Sequence, residues 1–277
     1  MRRTVAMAVL VSVALLGDAW QLHAADIGDF NTWTLVTDPP HRGMTGSVDS
    51  VSQVTLRANG AVPVATDIGY QTVDASNVAS SMQGHYFPAN QTFHVAVDFD
   101  VTAANSMGLA AIGFGIGENS NGTNSAGTAL GVINGNPLAF SGTARVGDVT
   151  QTPMLFGPAA TTSGRFFVRY NSQSGDVTFG VSTTQGAAAP SHTESFVDLK
   201  DAWNGDPLLV SFFLRSDAVF FPALSAGSVD VVLANFEVLE GTPIALPEPA
   251  SNAMLLFGAP LMGALRRRSL DRHRTKQ

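Results

Sequence analysis

Between about Asp26 and Glu240 apolar and polar residues alternate in short runs broken by Gly, Asn, Asp, Ser and Pro. No long segment there repeats with the 3.6-residue period of a helix. The cleanest run sets Phe93, Val95, Val97, Phe99 and Val101 against Thr92, His94, Ala96, Asp98 and Asp100, which is a half-buried strand with its polar side toward water. Residues 109–116 are apolar and punctuated by Gly113 and Gly115, with Gly117 just beyond; glycines inside a strand predict curvature or close backbone approach. Residues 165–170 and 177–181 flank the polar stretch 171–176 and predict a hairpin. Residues 208–214 form a near-continuous apolar run, expected in the buried middle of a sandwich. Residues 48–56 read as a mixed strand, and Val229, Val231, Leu233, Phe236 and Val238 close the pattern. Roughly ten or more strands at this spacing predict an all-β fold, an antiparallel β-sandwich or barrel. No repeat of 20–50 residues is present, which disfavours propellers and solenoids.

The order of these segments carries a resemblance. A Trp-containing opening (Trp33) precedes a Gly-Ser strand (Gly46, Ser47). The central Phe-x-Val-x-Val-Asp-Phe-Asp strand, the glycine-rich strand and the hairpin follow, and Val-Asp-Val-Val-Leu-Ala-Asn-Phe-Glu-Val ends the domain at 229–238. Over about 200 residues this resembles the concanavalin A-like lectin/glucanase jelly roll, known also from laminin G-type modules. An unrelated jelly roll or an immunoglobulin-like pair of sheets fits the same pattern.

Both ends read as addresses. Arg2 and Arg3 precede a 13-residue apolar run, Val5 to Gly17, followed by small residues at Ala24 and Ala25. That is the order of a secretory signal peptide, cleaved after Ala24. At the other end Pro247-Glu248-Pro249 precedes an apolar stretch, residues 253–265, and then Arg266, Arg267 and Arg268. The prolines hold the chain extended. The stretch is short for a stable span, and the arginines would stay on the cytoplasmic side. This three-part order resembles the PEP-CTERM sorting signal, with Leu246 where Val is common and a longer basic tail. The resemblance implies export through the Sec machinery, transient inner-membrane contact through residues 253–265, and processing near the motif by an exosortase. The released chain would pass to the cell surface or the exopolysaccharide matrix. The expected organisation is a signal peptide at 1–24, a sandwich at 25–240, a linker with the motif at 241–252, an apolar sorting helix at 253–265 and a basic tail at 266–277.

Composition then narrows the chemistry. The 277 residues include no cysteine, which removes disulfides, thiolate nucleophiles and Cys-ligated metals. Residues 26–246 hold 7 basic and 19 acidic side chains, a net charge of −12. Such a surface repels nucleic acid and suits neutral partners or divalent cations. Glycosidases of the resembled fold use a Glu-x-Asp-x-x-Glu strand motif. No Glu-x-Asp occurs here, and the body holds only Glu118, Glu194, Glu237 and Glu240. Asp98 and Asp100 are the one same-face carboxylate pair proposed, and their apolar neighbours place them on the solvent side. His41, His85, His94 and His192 lack ligand spacing to one another. Glu118, Asn119 and Asn121 are weak calcium candidates, because the loop offers oxygens but a single carboxylate; a hydrogen-bonded turn explains the same residues. Trp33, Tyr86 and Trp203 are weak candidate glycan contacts, since a flat ring matches a sugar face; each also serves as a plug at the core edge.

These readings converge on a non-enzymatic, exported β-sandwich with a structural or adhesive role, weak glycan binding and no resident cofactor. The alternative is a glycoside hydrolase or polysaccharide lyase on the same fold with a non-standard site. The processed protein is expected to begin at Ala25 or Asp26 and to end near Pro247. Mass spectrometry of surface-extracted protein checks this, and peptides from residues 266–276 in the mature pool would sink the sorting assignment.

Overall fold

The alternation at Phe93 forms β6 (Phe93–Met107), the centre of one sheet. It pairs antiparallel with β12 (Ser163–Tyr170) on one edge and with β16 (Ala226–Glu240) on the other. The sheet continues outward from β12 through β13 (Val177–Ser182) to β14 (His192–Phe196). From β16 it continues through β3 (Gln53–Asn59) to β2 (Met44–Ser50). The second sheet runs β1 (Thr34–Asp38), β4 (Thr66–Gln71), β15 (Leu209–Asp217), β7 (Leu109–Gly117), β8 (Ser125–Ile133), β9 (Asn136–Val146) and β10 (Val149–Thr150). A short β11 (Met154–Phe156) also pairs with β9. Every pairing between these strands is antiparallel. The computed structural model describes residues 26–38, 43–63, 66–151, 154–157, 159–217 and 222–246. Segments 1–24 and 253–277, with Pro247, Glu248, Pro249, Arg266, Arg267 and Arg268, lie outside the described residues. No helix among the described residues is long and apolar enough to cross a membrane.

The all-β antiparallel sandwich expected from the alternation is the fold observed. The hairpin at 165–181 is β12–β13, and the glycine-punctuated segment is β7. Three expectations change. Residues 48–56 are not one strand: a turn at Val51–Ser52 folds them into the β2–β3 hairpin. The domain does not stop at 240. Ile244–Ala245 form β17, paired with β5 (His85–Tyr86), and the Leu246 amide donates to the Gly84 carbonyl at 2.8 Å. Finally, Trp33 and Trp203 are core residues, 5 % and 1 % exposed. Trp33 stacks on Phe212 at 5.1 Å, meets Phe236 edge-on, and donates its indole N–H to the Ile27 carbonyl. Trp203 meets Tyr170 edge-on at 5.0 Å. Their segments look loop-like because each sits beside a single 3-10 turn, Phe30–Thr32 or Asp201–Trp203, which tucks the indole under a sheet. Neither ring offers a sugar a free face.

The inner faces of the two sheets alternate as a period of two requires. Phe99 and Phe166 stack at 4.3 Å in one sheet, Phe140 of the other meets both, and all three are fully buried. Each such ring contributes about 1.5–3 kcal/mol by burial. The outer face of the second sheet behaves differently. A Cβ at Gly115 would sit 2.6 Å from the Ala126 carbonyl oxygen, and one at Gly127 would sit 2.7 Å from that of Phe114. β7 and β8 therefore approach too closely for any side chain there. Gly131, on the same face of β8, meets nothing nearer than 3.8 Å. Gly115→Ala is expected to cost about 1–3 kcal/mol, a fall in Tm of roughly 3–10 °C. Gly131→Ala should be neutral or slightly stabilising. Thermal melts of both variants check the contrast.

Candidate functional site

The bare backbone at Gly115 and Gly127 is the floor of a groove of about 420 Å³ on the outer face of the second sheet. Register fixes its layout. One row crosses Gln71, Ser211, Gly115, Gly127 and Thr143, and the next crosses Gly69, Phe213, Gly113, Ala129 and Ser141. Four neighbouring positions on β7 and β8 thus carry glycine or alanine. A Cβ at Gly69 would collide with the Phe212 carbonyl oxygen, and one at Gly113 would collide with the ring of Phe213. Phe213 is half-buried and lies over Gly113, the outward-facing aromatic ring of the groove. At one end Asp67 meets Arg215 at 3.3 Å. At the other, Arg145 meets Asp148 at 3.1 Å and donates to the Asn121 carbonyl. Asp67 lines the groove, and the register sets Asp38 of β1 opposite it on the neighbouring strand.

The loop that closes the second end contains the calcium candidates. Glu118 accepts from the amides of Asn124 and Asn119, at 2.7 and 3.2 Å. Asn119 and Asn121 each accept from the Thr123 backbone N–H, and Asn121 also from its hydroxyl at 2.7 Å. These oxygens are engaged in building the turn. The turn is braced by segment 72–84 through the Ser120 N–H donating to Ser76 and a bridge between Asn77 and Asn119. No cluster of three or more His, Asp or Glu suited to a metal occurs among the described residues.

The carboxylate pair is placed elsewhere. Asp98 and Asp100 do share the outer face of β6, but that face belongs to the other sheet, away from the groove. Asp100 is exposed; Asp98 is only 3 % exposed, not on the solvent side as expected. The loop after β13 folds across it. The Gly186 N–H donates to Asp98 at 2.9 Å, Asn235 donates to its second oxygen, and the Arg165 guanidinium stands 3.6 Å away while holding Glu237 at 2.6 Å. The alternation around Asp98 was legible; the crossing loop was not. Tyr86 is half-buried beside a surface hollow with Pro88, Asn90, Lys200 and Pro207, and packs with Leu246 on Val73, Val78 and Leu209. Of the three aromatic candidates it alone keeps part of its ring at the surface. His85 is buried, His192 is exposed on the edge strand β14, and His41 lies outside the described residues.

Sequence reasoning missed Phe213, Arg215 and Asp67. The run 208–214 reads as buried throughout, yet Ser211, Phe213 and Arg215 alternate with Val210, Phe212 and Leu214. The hydroxyl and the guanidinium at a spacing of four were the available signal.

No protein-family model matches the chain, and no curated protein matches it. Solved structures similar to it include the β-glucanase of Bacillus licheniformis, with a TM-score of 0.46, 10 % identity and coverage of 79 % of this chain and 95 % of that one. The alginate lyase of Alteromonas sp. 272 gives 0.45, 11 %, 78 % and 95 %. The Emp47p carbohydrate recognition domain gives 0.44, 12 %, 76 % and 90 %. Likeness at this level carries no argument about function, and the sandwich stands on its own strand pairing.

His94, on the outer face of β6, supplies a pH prediction. Burial pushes its pKa below the usual 6.5, and the Arg169 guanidinium pushes it the same way. The unfolded chain therefore binds more protons than the folded one between the two values. The His94 contribution is present above about pH 6.5 and is lost as pH falls through the folded value. Urea midpoints should decline from pH 7.5 toward 5.5, and His94→Gln should flatten that decline.

Proposed function

We propose that the protein is an exported, non-enzymatic β-sandwich of the cell surface or exopolysaccharide matrix, and that its groove holds a glycan chain. Export and sorting rest on the terminal motifs, with the Sec machinery and an exosortase as transient partners. The glycan reading rests on one observation: a groove whose floor is backbone, with the Phe213 ring over it. A flat floor admits an extended polymer, and an aromatic ring presents the apolar surface that a pyranose C–H face matches. The hydroxyls of Ser211 and Thr143 supply polar groups that can orient it.

Catalysis is the weaker reading because two-carboxylate hydrolysis needs an acid and a base or nucleophile on opposite sides of one bond. The charge of Asp67 is engaged by Arg215 at 3.3 Å. The test pairs binding with turnover on a panel of β-glucans, galactans and alginates. Binding without turnover is expected, and Phe213→Ala should weaken it about tenfold, a loss of ~1.4 kcal/mol. Turnover that disappears in Asp67→Asn would replace this reading with a hydrolase or lyase.

A further inference from the structure

Each charged side chain that lines the groove has a partner of opposite sign. Asp67, Arg145 and Arg215 are the charged lining residues among those described. Asp67 and Arg215 face each other at 3.3 Å, across adjacent strands and in register. Arg145 is held by Asp148 at 3.1 Å, and one of its amino groups is committed to the Asn121 carbonyl. Both arginines that line the groove are therefore committed, and the domain around it carries a net charge of −12 over residues 26–246. The other arginines among the described residues are committed as well: Arg57 meets Asp230, Arg165 meets Glu237, and Arg169 meets Glu240, all on the opposite sheet.

We propose that the groove selects uncharged glycans and rejects polyuronates and sulfated chains; this rests on the glycan-binding reading above. Two costs fall on a polyanion and spare a neutral chain. Its carboxylates would give up water on a glycine floor without meeting an uncommitted cation, and desolvating an unpaired charge is expensive. It would also approach against the field of an acidic domain. A neutral pyranose chain asks only for hydrogen bonds and an apolar ring, which Ser211, Thr143 and Phe213 offer. Asp67 then acts as a specificity residue: it keeps Arg215 neutralised.

The experiment measures binding of the full-length protein to a neutral β-glucan or galactan and to alginate of matched length, at low and high salt. Wild-type protein should bind the neutral chain at least about tenfold more tightly, with an affinity that salt leaves unchanged. Asp67→Asn removes one negative charge from beside Arg215 and should gain alginate binding that weakens as salt rises. Asp148→Asn, at a side chain 66 % exposed where folding is not threatened, should do the same through Arg145. Preference of the wild type for alginate, alginate binding by the wild type that falls with salt, or no gain in either variant overturns the charge selection. Binding of neither polymer overturns the glycan reading itself, and the selection with it.

Discussion

The two sheets are joined by the apolar layer between them. The chain has no cysteine to staple them, and the ion pairs run between strands of one sheet or within a turn. Aromatic rings carry that layer. Phe30, Trp33, Phe212 and Phe236 interlock at one end, and Phe99, Phe140 and Phe166 interlock further along. A close-packed interior transmits strain, so the inner faces leave little freedom for variation. Room for variation lies on the outer faces and in the loops.

Those outer faces are built in opposite ways. On the β6 sheet, charge is buried and met by partners: Asp98 and Arg165 lie under the loop carrying Gln185 and Gly186, and Asn235 donates to Asp98 from the surface. On the β7 sheet, side chains are removed instead, so that backbone itself becomes surface. Removing them costs chain entropy, since glycine is the residue least willing to be ordered. The close approach of β7 and β8 makes that cost unavoidable at Gly115 and Gly127, and the same positions then form the groove.

Much of the fold was legible because β-branched and aromatic residues alternate wherever a strand has one wet side. β6, the β12–β13 hairpin and β16 announce themselves this way. β8 and β9 do not: Ser-Ala-Gly-Thr-Ala-Leu-Gly-Val-Ile alternates perfectly in burial, but its outward residues are small and its inward ones include Ala126 and Thr128. The groove was hidden for the same reason, since a surface made of missing side chains leaves no chemical signature. The indoles of Trp33 and Trp203 misdirected attention because local sequence shows the 3-10 turn and not the core beneath it. The glycines of β7 predict curvature or close approach, and close approach is what they provide; the groove they open follows only once β8 and β15 are placed beside them.

The chain leaves the described domain at Leu246 through a two-residue pairing, Ile244–Ala245 on His85–Tyr86, and the seat of Leu246 among Val73, Val78 and Leu209. By contrast β16, a few residues earlier, is zipped along both edges, to β6 and to β3. A pull applied beyond residue 246 would therefore reach the Leu246 contacts and the short pairing before β16. Freeing residues 241–246 would pay out about 20 Å of chain before any force reached the sandwich. The β5–β17 pairing is in this sense placed as a mechanical fuse, between the exit of the chain and the sandwich.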